Sequence, residues 1–250
     1  MKSLIITVAG TANRFNKDTK QKVLKCLYYE DTPDKALLSL QVRKAYDLVD
    51  EIIVVGGYKY DDLELFINRN LADAKGKIKL VYNEHFSDYG SGFSLLKGLE
   101  SVSAKTDEIV FIEGDLFFDT ATVSRLITSG KDVISVNNEP ILSNKAVALY
   151  FDAQNRPHYI YDTSHSLLQI NEPFTAIYNS GQMWKFCNAA RVRDIGRNLT
   201  ESQQRGTNLE IIQKYFGVLE SSQLEIIRFN LWFNCNTVAD YREAIKALSI

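Results

Sequence analysis

The chain opens with an unbroken apolar run, Leu4 to Val8, then enters a small-residue loop and stays polar as far as Lys25. A short continuous apolar run bounded by small residues predicts a strand buried on both faces. The same pattern returns at Glu51–Gly57, Ile78–Tyr82, Glu108–Ile112 and Asp132–Val136. Between these runs the spacing becomes helical. Ala36, Leu37, Leu40, Val42, Ala45 and Leu48 recur after a Thr32–Pro33–Asp34 start, Asp61 to Leu71 reads as the next helix, and a third contains Leu95, Leu96 and Leu99. Buried strands alternating with helices predict right-handed βαβ units, hence an α/β fold with a mostly parallel sheet and ligands at the carboxyl ends of the strands. Later the pattern changes. Ala146–Phe151 reads as a strand, and after the turn at Gln154–Pro157 the run His158–Tyr161 alternates as an antiparallel or edge strand does, so a mixed region is expected there. A last strand ends at Asn236. Thr237 and Asp240 mark the start of a final helix, and period two puts Asn234 and Asn236 on one face.

Composition adds few constraints. With 250 residues, 45% of them hydrophobic, and a net charge of −2, the chain has the profile of a globular enzyme with a sizeable core, and no basic excess points to nucleic acid. The first apolar run is short for a signal peptide and no later stretch approaches a membrane span, so a cytoplasmic protein without a membrane partner is expected. Cys26, Cys187 and Cys235 are odd in number and far apart, which speaks against a disulfide framework or a zinc site. His85, His158 and His165 lack metal-ligand spacing, and none is assigned as a base. With four prolines and no linker or repeat, one domain over residues 1–250 is expected.

Three places along the chain carry candidate chemistry. In the first loop, Ala9, Gly10, Thr11, Ala12 and Asn13 leave the backbone uncrowded, so its N–H groups can turn toward an anion. Arg14 at the loop exit and Lys25 beyond it stand where a polyphosphate would meet them; the plain alternative is a surface turn with two solvated charges. Tyr89, Gly90 and Ser91 precede a helix whose free N–H groups suit phosphate oxygens or the rim of a base, unless Ser91 or Ser94 merely caps it. Asp115, in Glu113–Gly114–Asp115 at a strand end, can reach a divalent cation bridging phosphates, where a helix cap is the ordinary alternative. Farther on, Glu139, Lys145, His158, Tyr159, Tyr161, His165, Glu172, Tyr178, Asn179, Trp184 and Glu210 supply groups for a polar acceptor. Aromatics beside a carboxylate suit an ammonium group, and core packing is the competing explanation.

Val8 to Phe15, followed by Leu24–Lys25–Cys26–Leu27, resembles the A-A-G-x-G-S-R-F and P-K-x-L signature of nucleotidyltransferases of the sugar-nucleotide and phosphocholine cytidylyltransferase type. Ala12 replaces the second glycine, Asn13 the serine and Leu24 the proline. The stretch from Asn83 to Ser94 resembles the phosphocholine cytidylyltransferases. The closing run resembles W-x-E-I-D-T-x-x-D-L, with Asn234 and Asn236 in place of the acids. The resemblance implies a GT-A-like nucleotidyltransferase fold, with a nucleotide half of about residues 1–120 and an acceptor half of about 121–250. It implies Mg2+ held by Asp115, Asn234 and Asn236, Lys25 on the α-phosphorus, and Arg14 on the departing pyrophosphate. Ala9 to Arg14 with Tyr89, Gly90 and Ser91 would then bind the nucleotide. Neutral ligands bind magnesium less tightly than carboxylates, so Asn236→Asp is expected to tighten it. CTP is the expected nucleotide, since the Tyr89–Ser94 segment resembles the cytidylyltransferases more closely than the sugar-nucleotide enzymes, and Ala12, by narrowing the approach, is expected to favour a pyrimidine over a purine. The expected acceptor is phosphocholine, aminoethylphosphonate or a phospho-amino acid held by Glu172, Tyr178, Trp184 and Glu210. A sugar-1-phosphate nucleotidyltransferase, a GT-A glycosyltransferase (which usually carries Asp-x-Asp where Glu113 and Asp115 stand) and a nucleotide-binding regulator without turnover remain alternatives.

Overall fold

The structure is a computed structural model and describes residues 1–142, 147–160 and 169–248; Lys145, Ala146, Tyr161 and His165 lie outside the described residues. In chain order its first half comprises β1 (Lys2–Thr7), α1 (Leu37–Ala45), β2 (Glu51–Gly56), α2 (Tyr60–Asn70), β3 (Ile78–Tyr82), α3 (Ser91–Ser101) and β4 (Glu108–Glu113). β5 (Leu116–Phe118), α4 (Thr120–Thr128), β6 (Asp132–Asn137), β7 (Ala148–Asp152), β8 (Pro157–Ile160) and β9 (Phe174–Phe186) follow. The chain closes with α5 (Ala189–Arg197), α6 (Glu201–Gln204), α7 (Leu209–Phe216), β10 (Leu224–Arg228), β11 (Trp232–Asn234) and α8 (Val238–Ala247).

A nine-stranded mixed sheet runs in the order β10-β6-β9-β4-β1-β2-β3, with β7 and β8 attached through β9. β1 pairs in parallel with β2 and β4, β2 with β3, and β6 with β10. The expected βαβ half is therefore present, and mostly parallel as predicted. Successive residues of β1 serve opposite faces, as the strand period requires. Leu4 and Ile6 join Leu38, Val42, Leu63, Val123 and Leu126 beneath α1, α2 and α4. Ile5 joins Leu95, Leu99, Val192 and Tyr215 beneath α3, α5 and α7. Both faces of the sheet are thus covered by helices, which is why the first strands read as unbroken apolar runs.

The long strand β9 has no counterpart in the sequence reading. Its first residues are largely exposed and its last eight are buried, yet polar Asn179, Ser180 and Gln182 interrupt the buried stretch. Neither alternation nor a continuous apolar run is therefore visible. β9 lies antiparallel between β4 and β6, and its register against β6 breaks between Ile134 and Val136. Two further expectations shift. The predicted helix from Lys35 to Leu48 divides into a 3-10 turn at Pro33–Lys35, α1, and a second 3-10 turn at Tyr46–Leu48. The predicted last strand shortens to β11, which leaves the main sheet and pairs antiparallel with β5.

Register fixes where a ligand can lie. Thr7 is level with both Val55 and Glu113, so the loops after β1 and β4 open from the same edge. No helix among the described residues is long and apolar enough to cross a membrane.

Candidate functional site

At that edge lies a cavity of about 260 Å3, walled by the loop after β1, the start of α3 and the end of β4. The loop is held by the chain on either side. The Val8 N–H donates to the Val55 carbonyl (2.8 Å) and the Tyr58 N–H to the Ala9 carbonyl (3.1 Å). Gly10 has open space where a side chain would start. Asn16, absent from the sequence reading, pins the polar stretch together: its Nδ2 donates to the Val23 carbonyl (3.1 Å), and its Oδ1 accepts from the Val23 N–H (2.8 Å). Thr11 is half-buried, whereas Asn13 and Arg14 are exposed.

Ala12 sits in the left-handed region with φ 55°. The resembling signature has its second glycine here, and an L-residue held in this conformation costs about 1–2 kcal/mol. Ala12→Gly relieves that strain but loosens the unfolded chain by about 0.4–1 kcal/mol. A net gain of roughly 0.5–1 kcal/mol is expected, read as a higher midpoint in a thermal melt. A lower midpoint would mean that the methyl packs better than the backbone suffers.

Lys25 stands on a single 3-10 turn, Lys25–Leu27, anchored by buried Leu24 and Cys26 on either side. Leu24 has φ −79°, a value proline also adopts, so its side chain is buried without changing the local backbone. Across the cavity, β4 turns at Gly114, where a Cβ would lie 2.3 Å from Val8 Cγ1. Only glycine lets the chain pass so close to the end of β1, and the turn delivers Asp115 beside the loop. Lys25 Nζ donates to Asp115 Oδ2 at 2.9 Å. Asp115 Oδ1 is buried without a hydrogen-bond partner among the described residues.

The β5–β11 ribbon brings the distant closing run to the same point. Asn234 lies opposite Leu116, and the Cys235 N–H donates to the Asp115 carbonyl at 2.9 Å. Asn236 Oδ1 accepts from Lys25 Nζ (3.2 Å) and from the Arg14 guanidinium (3.0 Å), while its Nδ2 donates to Asn234 Oδ1 (2.7 Å). The predicted cap is present: Asp240 N–H donates to Thr237 Oγ1, and Asp240 Oδ2 accepts from the Thr237 N–H.

Lys25, Arg14, Asp115, Asn234 and Asn236 thus converge from three separated stretches. No group of three His, Cys, Asp or Glu side chains suited to a metal occurs among the described residues. A magnesium ion is commonly held by one or two carboxylates plus substrate phosphates, and the unpartnered Asp115 Oδ1 fits that use. The oxygens of Asn234 and Asn236, expected as further ligands, face an amide and two cations instead.

The other end of the cavity is built on Asn83 and Ser94, both buried. Asn83 Nδ2 donates to Ser94 Oγ (2.8 Å), and its Oδ1 accepts from the His85 N–H (2.8 Å). Tyr89 lines the cavity with its ring already engaged, stacked on His85 (4.2 Å), near the Arg205 guanidinium (4.5 Å) and in an edge contact with Phe93 (5.1 Å). Gly90 and Gly92 owe their glycines to packing: a Cβ would stand 2.2 Å from the Gly206 carbonyl at Gly90, and 2.8 Å from that of Thr207 at Gly92. Their N–H groups donate to the Arg205 and Gly206 carbonyls, so this helix start is partly satisfied by the chain itself. Ser91 Oγ accepts from the Asn208 N–H, and Asn208 Nδ2 donates to Glu113 Oε1 at 2.5 Å. Burial and the neighbouring Asp115 charge push the Glu113 carboxyl up to about 7.

The expected acceptor residues do not gather at this cavity. Trp184 is fully buried, stacked on Phe111 at 5.3 Å and donating from Nε1 to Tyr159 Oη at 2.6 Å; it is a core residue. Glu172 is exposed and accepts from Tyr150 Oη (2.6 Å). Tyr178 meets Phe151 and lies under Arg228 on the β7–β9 side. Glu210 packs beside Gly206 on α7. The density of aromatics in this half reflects packing, as residues in and between strands often do.

Residues 21–248 match the family described as "Domain of unknown function (DUF6564)". No curated protein matches the chain. Among solved structures, the inositol-1-phosphate CTP transferase of T. maritima superposes with TM-score 0.71 at 17% identity, over 98% of this chain and 96% of that one. The CTP:phosphocholine cytidylyltransferase of Streptococcus pneumoniae gives 0.70 at 16% identity over 99% of each chain. A Bacillus anthracis protein assigned as a glucose-1-phosphate thymidylyltransferase gives 0.71 at 16%, covering 100% of this chain and 95% of that one. The fold is therefore the GT-A-like nucleotidyltransferase fold, as expected.

Proposed function

We propose that this chain, which belongs to the DUF6564 family, is a nucleotidyltransferase that joins a nucleoside monophosphate, most readily from CTP, to a small phosphorylated or phosphonylated acceptor. The observation that carries the reading is the meeting of Lys25 and Asp115 in the wall of a cavity whose other end is a buried amide and hydroxyl pair, with Arg14 joined to Lys25 through the Asn236 carbonyl. A base would lie against Asn83 and Ser94, where polar groups can read its edge, and the phosphates would run along the Ala9–Ala12 loop toward the two cations.

An acceptor oxygen attacks the α-phosphorus in line as the bond to the β-phosphate breaks, and pyrophosphate leaves with the electron pair. An ionised phosphate nucleophile needs no general base, in keeping with the lack of a histidine among the described residues that line the cavity. Lys25 neutralises charge on the α-phosphoryl oxygens, and Arg14 follows the leaving group; positioning and charge do the catalysis. Magnesium, held by Asp115 and the nucleotide phosphates, would add Lewis-acid charge to the same oxygens. The small cavity favours a pyrimidine; phosphocholine, aminoethylphosphonate and phospho-amino acids remain the candidate acceptors, with the aromatic enrichment that suggested an amine now accounted for by packing and the resemblance to phosphocholine cytidylyltransferases left as their support.

The deciding assay is pyrophosphate release with Mg2+, offering CTP, UTP, ATP and GTP against phosphocholine, aminoethylphosphonate, phosphoserine and glucose-1-phosphate. CTP with an aminated acceptor is expected to be turned over fastest. Equal use of ATP or GTP removes the CTP preference; a preference for glucose-1-phosphate makes it a sugar-nucleotide enzyme; nucleotide binding without any turnover overturns the catalytic reading.

A further inference from the structure

We infer that Asn236 and Asn234 are positioning residues, an amide relay anchored at Gln182 that aims Lys25 and Arg14 at the phosphates, and not a pair of metal ligands. This deepens the proposed function and rests on it for the identity of the anion. The orientation of every amide is dictated by its neighbour. Asn236 Oδ1 must face the two cations, which donate to it at 3.2 and 3.0 Å. Its Nδ2 is thereby turned to Asn234 Oδ1 at 2.7 Å. Asn234 Nδ2 is turned in its own direction, toward Gln182 Oε1 at 3.5 Å, the longest step. All three carbonyl dipoles point toward the cationic end.

Gln182 shows where the fold spends free energy on this arrangement. It is buried, sits inside a strand, and has φ 55°, which non-glycine residues rarely adopt. Its neighbour Gly181 is held by the Trp232 indole N–H at 2.8 Å, so the kink in β9 is tied to β11, the strand that carries Asn234.

The charge balance explains why amides serve here. Lys25 pairs with Asp115 and Arg14 meets the neutral Asn236 carbonyl, while the Asp240 carboxylate bonds the Asn236 N–H and Glu113 lies beside Asp115, so the group holds no cationic surplus to offset further acids. With acids at 234 and 236 the same group would carry a net negative charge, and the two cations would be locked in ion pairs. A neutral carbonyl orients an ammonium yet releases it to a phosphate, because its attraction is weaker than that of a carboxylate.

Three arms test the relay on the full chain. First, CTP binding is measured by calorimetry without divalent ions, for the wild type, Asn236→Asp and Asn236→Ala; Asn236→Asp is expected to weaken it tenfold or more and Asn236→Ala less. Second, Mn2+ binding to the protein alone is measured; Asn236→Asp is expected to leave it within about threefold, whereas a metal-ligand role requires clear tightening. Third, Asn234→Leu is expected to lower kcat severalfold with Mn2+ binding unchanged. Thermal melts confirm that each variant folds, and Asn236→Asp, being isosteric, keeps the backbone bonds around the cap. Tenfold tighter Mn2+ binding in Asn236→Asp, or unchanged metal-free nucleotide binding, overturns the relay. If the wild type binds no CTP, the nucleotidyltransferase reading fails on its own, and pyrophosphate serves as the anion for the same comparison.

Discussion

Lys25→Ala is expected to slow nucleotidyl transfer by on the order of a hundredfold or more in a protein that still folds. The large kinetic effect follows from where charge develops: an ammonium aimed at the α-phosphoryl oxygens stabilises the transition state more than the ground state, so its loss falls mainly on kcat. The fold survives because Leu24 and Cys26 continue to anchor the turn, although Asp115, only 22% exposed and with Oδ1 unpartnered among the described residues, loses its cation and the midpoint falls. Lys25→Arg is expected to recover little, because a planar fork cannot replace the single nitrogen that reaches both Asp115 Oδ2 and Asn236 Oδ1. Steady-state pyrophosphate release beside a thermal melt decides the matter. A well-folded Lys25→Ala protein within fivefold of wild type would remove Lys25 from the chemistry.

Trp184→Ala is expected to have the largest effect on stability, about 3–5 kcal/mol, because it empties a fully buried site near the carboxyl end of β9. The indole stacks on Phe111 of β4 and is edge-on to Tyr159 of β8, so one side chain links β4 to a strand that, among the described residues, does not itself pair with β9. For a chain of this size the loss lowers the midpoint by on the order of 10 °C. The acceptor KM of the protein that remains folded is expected to stay near its wild-type value, which separates a core role from the ligand role that the aromatic pattern suggested. A raised KM with an unchanged melt would reverse that assignment.

The two halves of the chain differ in how much of the structure could be read from sequence. Buried parallel strands announce themselves because neither face meets water: β1 to β4 were legible as apolar runs, and the loops after β1 and β4 followed from them. The convergence of Lys25, Asp115 and Asn236 was legible only through motif resemblance, since nothing local to Asn234 reveals that β11 pairs with β5. Gly90 and Gly92 show the opposite failure. Small residues before a helix look alike whether they make room for a phosphate or, as here, for the Gly206 and Thr207 carbonyls. Asn83 was reached only through the resemblance of its stretch, and Asn208 and Asn16 gave no signal at all, because a buried asparagine and a turn asparagine have the same letter and differ only in their partners.

The place of β9 sets an order of events for the growing polypeptide. β4 cannot complete its hydrogen bonding, nor β6 acquire its neighbour, until residues 174–186 have left the ribosome. For all that time the parallel half presents an unpaired strand edge to other nascent chains, at a step where edge-to-edge pairing leads to aggregation. Synthesis that pauses between β6 and β9 prolongs this exposure, so the demand for chaperone protection is concentrated in that interval.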